Sequence, residues 1–172
     1  MGIKDSKRIS VIGPSGSRKS TLAIELGGLL NLPVYHIDVI YYSKENCGRI
    51  PIEELLSKIE AITKTERWII EGTYSQTLRN RFETSDKVIY LNIPFKDCVE
   101  SVKRRFENKE PRIGVPENFE ENHDFQTLLE KMESRRENRQ ALISTLHKEY
   151  PHKVIELKTF KEVKDFQDSL QF

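Results

Sequence analysis

Gly13-Pro14-Ser15-Gly16-Ser17-Arg18-Lys19-Ser20-Thr21 is the stretch that decides how this chain is read. Glycine, four free residues, then Gly-Lys-Ser or Gly-Lys-Thr is the pattern of a phosphate-binding loop. Gly13, Lys19 and Ser20 stand in register with it, with Gly16 and Ser17 between them, and Arg18 takes the place of the second motif glycine. The flanks agree with the loop. Residues 8–12 (Arg-Ile-Ser-Val-Ile) form a short β-branched run that predicts a buried strand. Leu22, Ala23, Ile24, Leu26, Leu29 and Leu30 recur at helical spacing. In a strand–loop–helix unit, successive backbone N–H groups and the positive end of the helix dipole point at one spot. A polyphosphate such as ATP suits that spot. Residues 13–21 would cradle it, Lys19 would reach the β- and γ-phosphate oxygens, and the Ser20 hydroxyl would ligate Mg²⁺.

Arg18 leaves two alternatives open. With its Cβ turned away it can keep its N–H on the phosphates while the side chain runs into solvent, or the guanidinium can add an anion contact and alter nucleotide use.

The 172 residues are one domain's worth, 1–172. Lys and Arg number 28 against 27 Asp and Glu, a net charge of +1. That balance gives no electrostatic footprint for general nucleic-acid binding and speaks against direct DNA binding. Cys47 and Cys98 have no metal-ligand or CxxC spacing; Cys98 falls on an apolar helix face and Cys47 in a loop, a usage that fits a reducing cytoplasm. No apolar stretch approaches the length of a membrane span, and the N-terminus lacks a signal-peptide core. Met1-Gly2 with Ser6 matches a myristoylation pattern only superficially, with no second membrane signal. The expectation is a cytoplasmic protein without membrane association.

The remaining periodicities predict strands at 32–38, 68–72, 87–92 and 153–157. Helices are expected from Pro51 through Ile62, over 75–82, on the face Phe95, Cys98, Val99, Val102, Phe106, as one long helix over 125–148, and at the C-terminus from Phe160 to Leu170. Residues 108–122, with Pro111, Gly114 and Pro116, read as irregular. Alternating strands and helices imply an α/β fold with a parallel sheet covered on both faces. Ligands of such sheets bind at the carboxyl ends of the strands, where the loop, Asp38 and Glu71 are expected. Asp38 is then a candidate to hold or deprotonate an acceptor hydroxyl or to bind Mg²⁺ through water, and Glu71 has a Walker-B-like place. His36 shares the face of Asp38, Tyr35 and Trp68 read as core, and Tyr74 is a weak candidate for an acceptor pocket.

The predicted long helix carries a second signal. Its apolar stripe runs through Phe125, Leu128, Leu129 and Met132, then resumes at Leu142, Ile143 and Leu146. Between the halves the helical period lands on Arg135, Arg136 and Arg139. Cations on a face due for burial need an anionic partner, and a triphosphate is one, so Arg136 and Arg139 are candidate catalytic residues. Lys103, Arg104, Arg105 and Arg112 bracket the irregular segment, and together with it suggest a basic flap closing over phosphates, with Arg104 a candidate nucleotide contact.

Residues 13–23, 32–38 (Leu-Pro-Val-Tyr-His-Ile-Asp) and 68–74 (Trp-Ile-Ile-Glu-Gly-Thr-Tyr) together resemble the adenylate-kinase-related P-loop proteins called DNA topology modulation (FlaR-related) proteins. The resemblance spans most of the chain and is strongest up to about residue 106. It implies a nucleoside-monophosphate-kinase-like three-layer fold with a five-stranded parallel sheet of order 2-3-1-4-5, an acceptor-side segment near 38–67 and a lid near 108–123. It also implies ATP with Mg²⁺, and it makes Arg136 and Arg139 similar to lid-hinge arginines. Two departures stand out. Arg18 replaces a loop glycine, and Glu71-Gly72 is followed by Thr73-Tyr74-Ser75 where adenylate kinases place the arginine that holds the AMP phosphate. Arg79 and Arg81 are the substitutes within reach in sequence. The expected function is an ATP-dependent kinase for a small-molecule acceptor. The alternative is a nucleotide-binding regulatory or topology-modulation protein with little phosphotransfer.

Overall fold

The computed structural model describes residues 2–43, 45, 48–121 and 123–171. Five parallel strands, β1 (Arg8–Ile12), β2 (Val34–His36), β3 (Trp68–Glu71), β4 (Lys87–Leu91) and β5 (Val154–Leu157), form one sheet of order β2-β3-β1-β4-β5. The helices are α1 (Lys19–Leu30), α2 (Ile37–Tyr41), α3 (Ile52–Thr63), α4 (Ser75–Thr84), α5 (Phe95–Glu107), α6 (Phe125–Ser134), α7 (Arg136–Glu149) and α8 (Phe160–Leu170). This is the expected α/β architecture with the expected strand order.

The strand alternation builds two cores. Ile9, Val11, Ile69, Ile89 and Leu91 meet Leu22, Leu26, Cys98, Val102 and Val163 from α1, α5 and α8 on one face. Ile12, Val88 and Tyr90 meet Leu78, Phe82, Ile143 and Leu146 from α4 and α7 on the other, while Trp68 and Ile70 pack on Leu55 and Ile59 of α3. Successive strand residues serve opposite faces because the side-chain period of a strand is two. Each fully buried Leu or Ile contributes roughly 1.5–3 kcal/mol relative to exposure. Burial pushes the Cys98 thiol up to about 11, so it serves as core rather than as a nucleophile. Cys47 lies outside the described residues.

Two expectations need correction. The second strand ends at His36, and Asp38 sits in the first turn of the five-residue helix α2 rather than at a strand end. The predicted long helix is two helices that meet at Arg135, whose φ of −94° and ψ of −9° lie at the edge of the helical region. The break sits where the apolar stripe is interrupted: without buried side chains there, packing does not enforce one straight axis. Among the described part of 108–122, Asn108–Glu121 is irregular as expected, with Gly114 at φ +76°.

Arg81 of α4 is 0 % exposed. Its guanidinium donates to Gly72 O at 2.6 Å, Ile70 O at 2.7 Å and Ser10 Oγ at 3.2 Å. It thereby caps the carboxyl ends of β1 and β3, which carry the Gly-rich loop and Glu71. Burial pushes its pKa down to about 9, with the charge of Glu71 opposing.

Candidate active site

The loop between β1 and α1 holds itself in shape. Ser17 is buried, and both its N–H and its hydroxyl donate to Pro14 O, at 3.3 and 2.7 Å. The Thr73 hydroxyl accepts from Gly13 N–H at 2.9 Å and donates to Gly13 O at 2.7 Å, tying the loop to the end of β3. Gly16, at φ +82°, has no room for a side chain: a Cβ there would meet Cys98 O at 2.4 Å. Arg18 takes the left-handed conformation that a glycine would otherwise supply (φ 65°, ψ 22°). Its side chain turns away from the loop mouth and lies over the Phe160 ring of α8, 4.3 Å from the centroid. The strain of about 1–2 kcal/mol is thus set against a cation–π contact of about 0.5–1 kcal/mol. The outcome is neither free solvent nor an added anion contact. Thr21 is an exposed residue in the first turn of α1.

Lys19 Nζ lies 3.3 Å from Pro14 O and 3.9 Å from Glu71 Oε1. Burial pushes its ammonium down; Glu71 and Asp38 pull it up, and Arg112 and Arg139 push it down further. Asp38, Arg112 and Arg139 line one cleft with Lys19, and Glu71 lies 3.9 Å from Lys19. Parallel pairing of β2 with β3 sets His36 beside Glu71, and His36 Nδ1 is 2.7 Å from Glu71 Oε2. Burial raises the Glu71 carboxyl, but the His36 hydrogen bond, the charges of Lys19 and His36 and a bond from Ser20 outweigh it, and the net direction is down.

Asp38 is held from two sides. Its Oδ1 accepts from the Tyr74 hydroxyl at 2.5 Å and its Oδ2 from Arg112 at 2.7 Å. Burial and the Asp38 charge raise the Tyr74 phenol far above its usual value, so it stays a donor. Arg112 comes from the irregular segment, also meets Glu121 at 3.4 Å, and lies over the Phe119 ring; Arg105 meets the same Glu121 at 3.7 Å. Gly114 brings the segment's backbone against α1: a Cβ there would meet His36 Nδ1 at 2.7 Å and Ser20 Oγ at 3.0 Å.

A cleft of about 1270 Å³ runs from Gly13, Ser15 and Lys19 past Asp38 and Tyr74 to Arg112, Arg135 and Arg139. Of the two arginines singled out on α7, Arg139 lines this cleft; Arg136 is exposed, lies 4.9 Å from the centre of the Phe95 ring, and borders a small side cavity next to Pro14. Arg104 is exposed on α5 and lines neither space, because the helix turns it to solvent while Arg105 faces inward. Arg79 pairs with Glu149 on the surface and Arg81 is spent on carbonyls, so neither supplies the arginine missing after Glu71-Gly72. Arg112 and Tyr74 carry more of the site than their sequence context suggests. The cleft residues Tyr41, Tyr42, Arg49, Phe119 and Lys131 had no sequence signal beyond residue type.

The donors suit a nucleotide with its metal. The loop has room only for backbone at Gly16, and among the described residues the half-buried Lys19 has a carboxylate no nearer than 3.9 Å. Ser20 would hold Mg²⁺ directly and Glu71 through water. Among the described residues no group of three or more His, Cys, Asp or Glu could hold an ion, so nucleotide oxygens and water would supply most ligands, as is usual for Mg²⁺.

Three solved structures share the architecture. Shikimate kinase from Aquifex aeolicus vf5 matches at 19 % identity and a TM-score of 0.55, covering 95 % of this chain and 96 % of its own. The Bacteroides thetaiotaomicron shikimate kinase matches at 13 % identity and a TM-score of 0.61, over 97 % and 99 %. The Acinetobacter baumannii shikimate kinase, in complex with shikimate, matches at 19 % and 0.55, over 98 % and 93 %. No protein-family model matches the sequence, and no curated protein matches it significantly. The narrower likeness to topology modulation proteins rests on the three quoted motifs alone. Among the described residues no helix is long and apolar enough to cross a membrane. At these identities the likeness shows the fold: the chain has a P-loop kinase-like α/β fold with a five-stranded parallel sheet of order 2-3-1-4-5.

Proposed function

We propose that this protein is an ATP-dependent phosphotransferase acting on a hydroxyl of a small-molecule acceptor. The observation that carries the reading is the cleft at the mouth of a phosphate-binding loop that Lys19, Asp38, Arg112 and Arg139 line together, with Arg112 bonded to Asp38. Phosphoryl transfer asks a protein for position and charge compensation more than for covalent chemistry. The loop N–H groups and Lys19 hold the β- and γ-phosphates. Arg112 and Arg139 neutralise charge on the transferring group, and residues 108–123 serve as the lid that brings Arg112 in. Asp38 accepts the acceptor's proton; each of its oxygens keeps a second lone pair beside the Tyr74 and Arg112 bonds. The acceptor oxygen bonds to the γ-phosphorus, the bond from that phosphorus to the β,γ-bridging oxygen breaks, and the electron pair leaves with ADP. Ser20 would hold Mg²⁺, which when bound supplies charge neutralisation to the phosphates. A hydroxyl acceptor suits the site better than a nucleotide phosphate, because no spare arginine follows Glu71-Gly72.

ADP release from Mg·ATP, measured across hydroxylated metabolites including shikimate and nucleosides, tests the proposal. Acceptor-dependent release that disappears in Lys19→Ala supports it. Undiminished turnover by folded Lys19→Ala overturns it.

A further inference from the structure

Two walls of the cleft beyond the transfer point are chemically unlike. On one side Tyr74, Tyr41, Tyr42 and Phe119 form a chain of rings, with centroids 5.3 Å apart for Tyr41–Tyr74, 5.6 Å for Tyr41–Tyr42 and 5.3 Å for Tyr42–Phe119. Their contacts are edge-on or tilted, not parallel stacks, and all four line the cleft, half-buried. The Arg49 guanidinium lies over both Tyr41 and Tyr42.

On the other side Lys131, Arg135 and Arg139 stand four residues apart, and all three line the same cleft. Lys19 and Arg112 each face a carboxylate. Among the described residues none lies within ion-pair distance of Lys131, Arg135 or Arg139; Lys131 donates to His123 Nε2. Like charges at this spacing repel, and Arg139 is pushed down first by burial and then by Arg135. Arg139 of α7 senses Asp38 and Tyr74, and Arg135, at the junction of the two helices, and Lys131 of α6 line the same cleft with it. Lys131 and Arg139 are half-buried and Arg135 is exposed; a partly buried set of cations with no carboxylate partner is stabilised when an anion fills it.

We infer that the acceptor is a flat-ringed alcohol carrying an acid group: its hydroxyl at Asp38, its ring against the tyrosine wall, its carboxylate or phosphate on Lys131 and Arg135. The inference rests on the phosphotransferase reading and names the acceptor class for that site. π faces favour a flat ring, and guanidinium groups recognise carboxylate and phosphate alike.

The test is calorimetric titration of the purified chain with 3-(hydroxymethyl)benzoate, 3-(hydroxymethyl)phenyl phosphate, the neutral 3-(hydroxymethyl)benzamide, the saturated 3-(hydroxymethyl)cyclohexanecarboxylate, and shikimate. The two flat acids are expected to bind at least tenfold more tightly than the amide and the two acids with non-aromatic rings; whichever flat acid binds better identifies the anion. Lys131→Ala with Arg135→Ala should erase the advantage over the amide, and Tyr42→Leu the advantage over the saturated ring. Equal affinity across the set, no measurable binding by any member, or a preference for the acids with non-aromatic rings overturns the inference. ADP release in the presence of each compound separates the two claims. Selective binding without release removes the phosphotransferase reading and keeps the ligand class. Release with acceptors that lack ring or acid does the reverse.

Discussion

The Gly-rich loop and the flap face each other across one cleft and are held in opposite ways. The loop is fixed by short backbone and hydroxyl bonds among near neighbours and by Thr73, with Gly16 pressed against Cys98 O. The flap is fixed by ion pairs to distant residues, Arg112 to Asp38 and to Glu121 and Arg105 to Glu121, all half-buried. Hydrogen bonds in a dry, packed turn are insensitive to salt, while partly solvated ion pairs are worth about 0–1 kcal/mol each and are screened. One wall of the site is therefore held by packed local bonds and the other by screened ion pairs, the balance that the proposed lid would need.

The largest effect should come from the packed wall. Lys19→Ala is expected to lower kcat for acceptor-dependent ADP release by about 100-fold or more with little change in thermal midpoint; steady-state kinetics beside a melting curve checks both. Arg81→Ala tests the scaffold under that wall. It strips three carbonyls of β1 and β3 and one serine hydroxyl of a buried donor, and urea unfolding should show a loss of about 3 kcal/mol. A loss below about 1 kcal/mol would mean that water replaces the guanidinium.

The Glu71–His36 contact gives a pH signature. The Glu71 carboxyl is depressed in the folded state, so its contribution is present above the ordinary value of 4.5 and is lost as the pH falls through the lower folded value. Glu71→Gln should flatten the fall in unfolding free energy below about pH 4.5 relative to the parent chain; identical acid limbs would show that Glu71 carries none of it.

On the poised wall, Arg112→Ala removes two of the three flap pairs. Proteolysis within 108–121 should quicken about fivefold, matching about 1 kcal/mol, and 0.5 M salt should quicken the parent chain in the same direction. A flap as resistant as the loop in either case would end the contrast. The smallest effect is expected for Arg18→Gly. Relief of left-handed strain and loss of the Phe160 contact nearly cancel, leaving the melting temperature and ATP affinity close to those of the parent. A tenfold gain in affinity would show that the arginine does restrain nucleotide binding.

The fold was legible because its signals are local. Strand runs at 8–12, 68–71 and 87–91, helical faces after each, and punctuation by Gly and Pro are properties of a few neighbouring residues. The two misread places lack such signals. Asp38 follows an apolar strand with no breaker before α2, so the strand was read two residues too long. Arg135 interrupts an apolar stripe without Gly or Pro, so the break between α6 and α7 was invisible, and with it which arginine enters the cleft: Arg139 does, Arg136 turns to Phe95 and Arg104 to solvent. Arg112 and Tyr74 reach Asp38 across 74 and 36 residues of chain, a separation that no periodicity encodes.

By itself, then, the sequence determined the strand–loop–helix unit, the alternation that makes a two-faced parallel sheet, and the carboxyl-end position of the site. These follow from backbone stereochemistry and from apolar residues at fixed spacing. Only the tertiary structure decided which charges meet above the loop, that Arg18 leaves it for Phe160, and that a set of cations and a tyrosine wall flank the same cleft. Charge pairing and side-chain direction depend on how distant segments pack, and many placements of an exposed arginine differ by less than about 1 kcal/mol until that packing selects one.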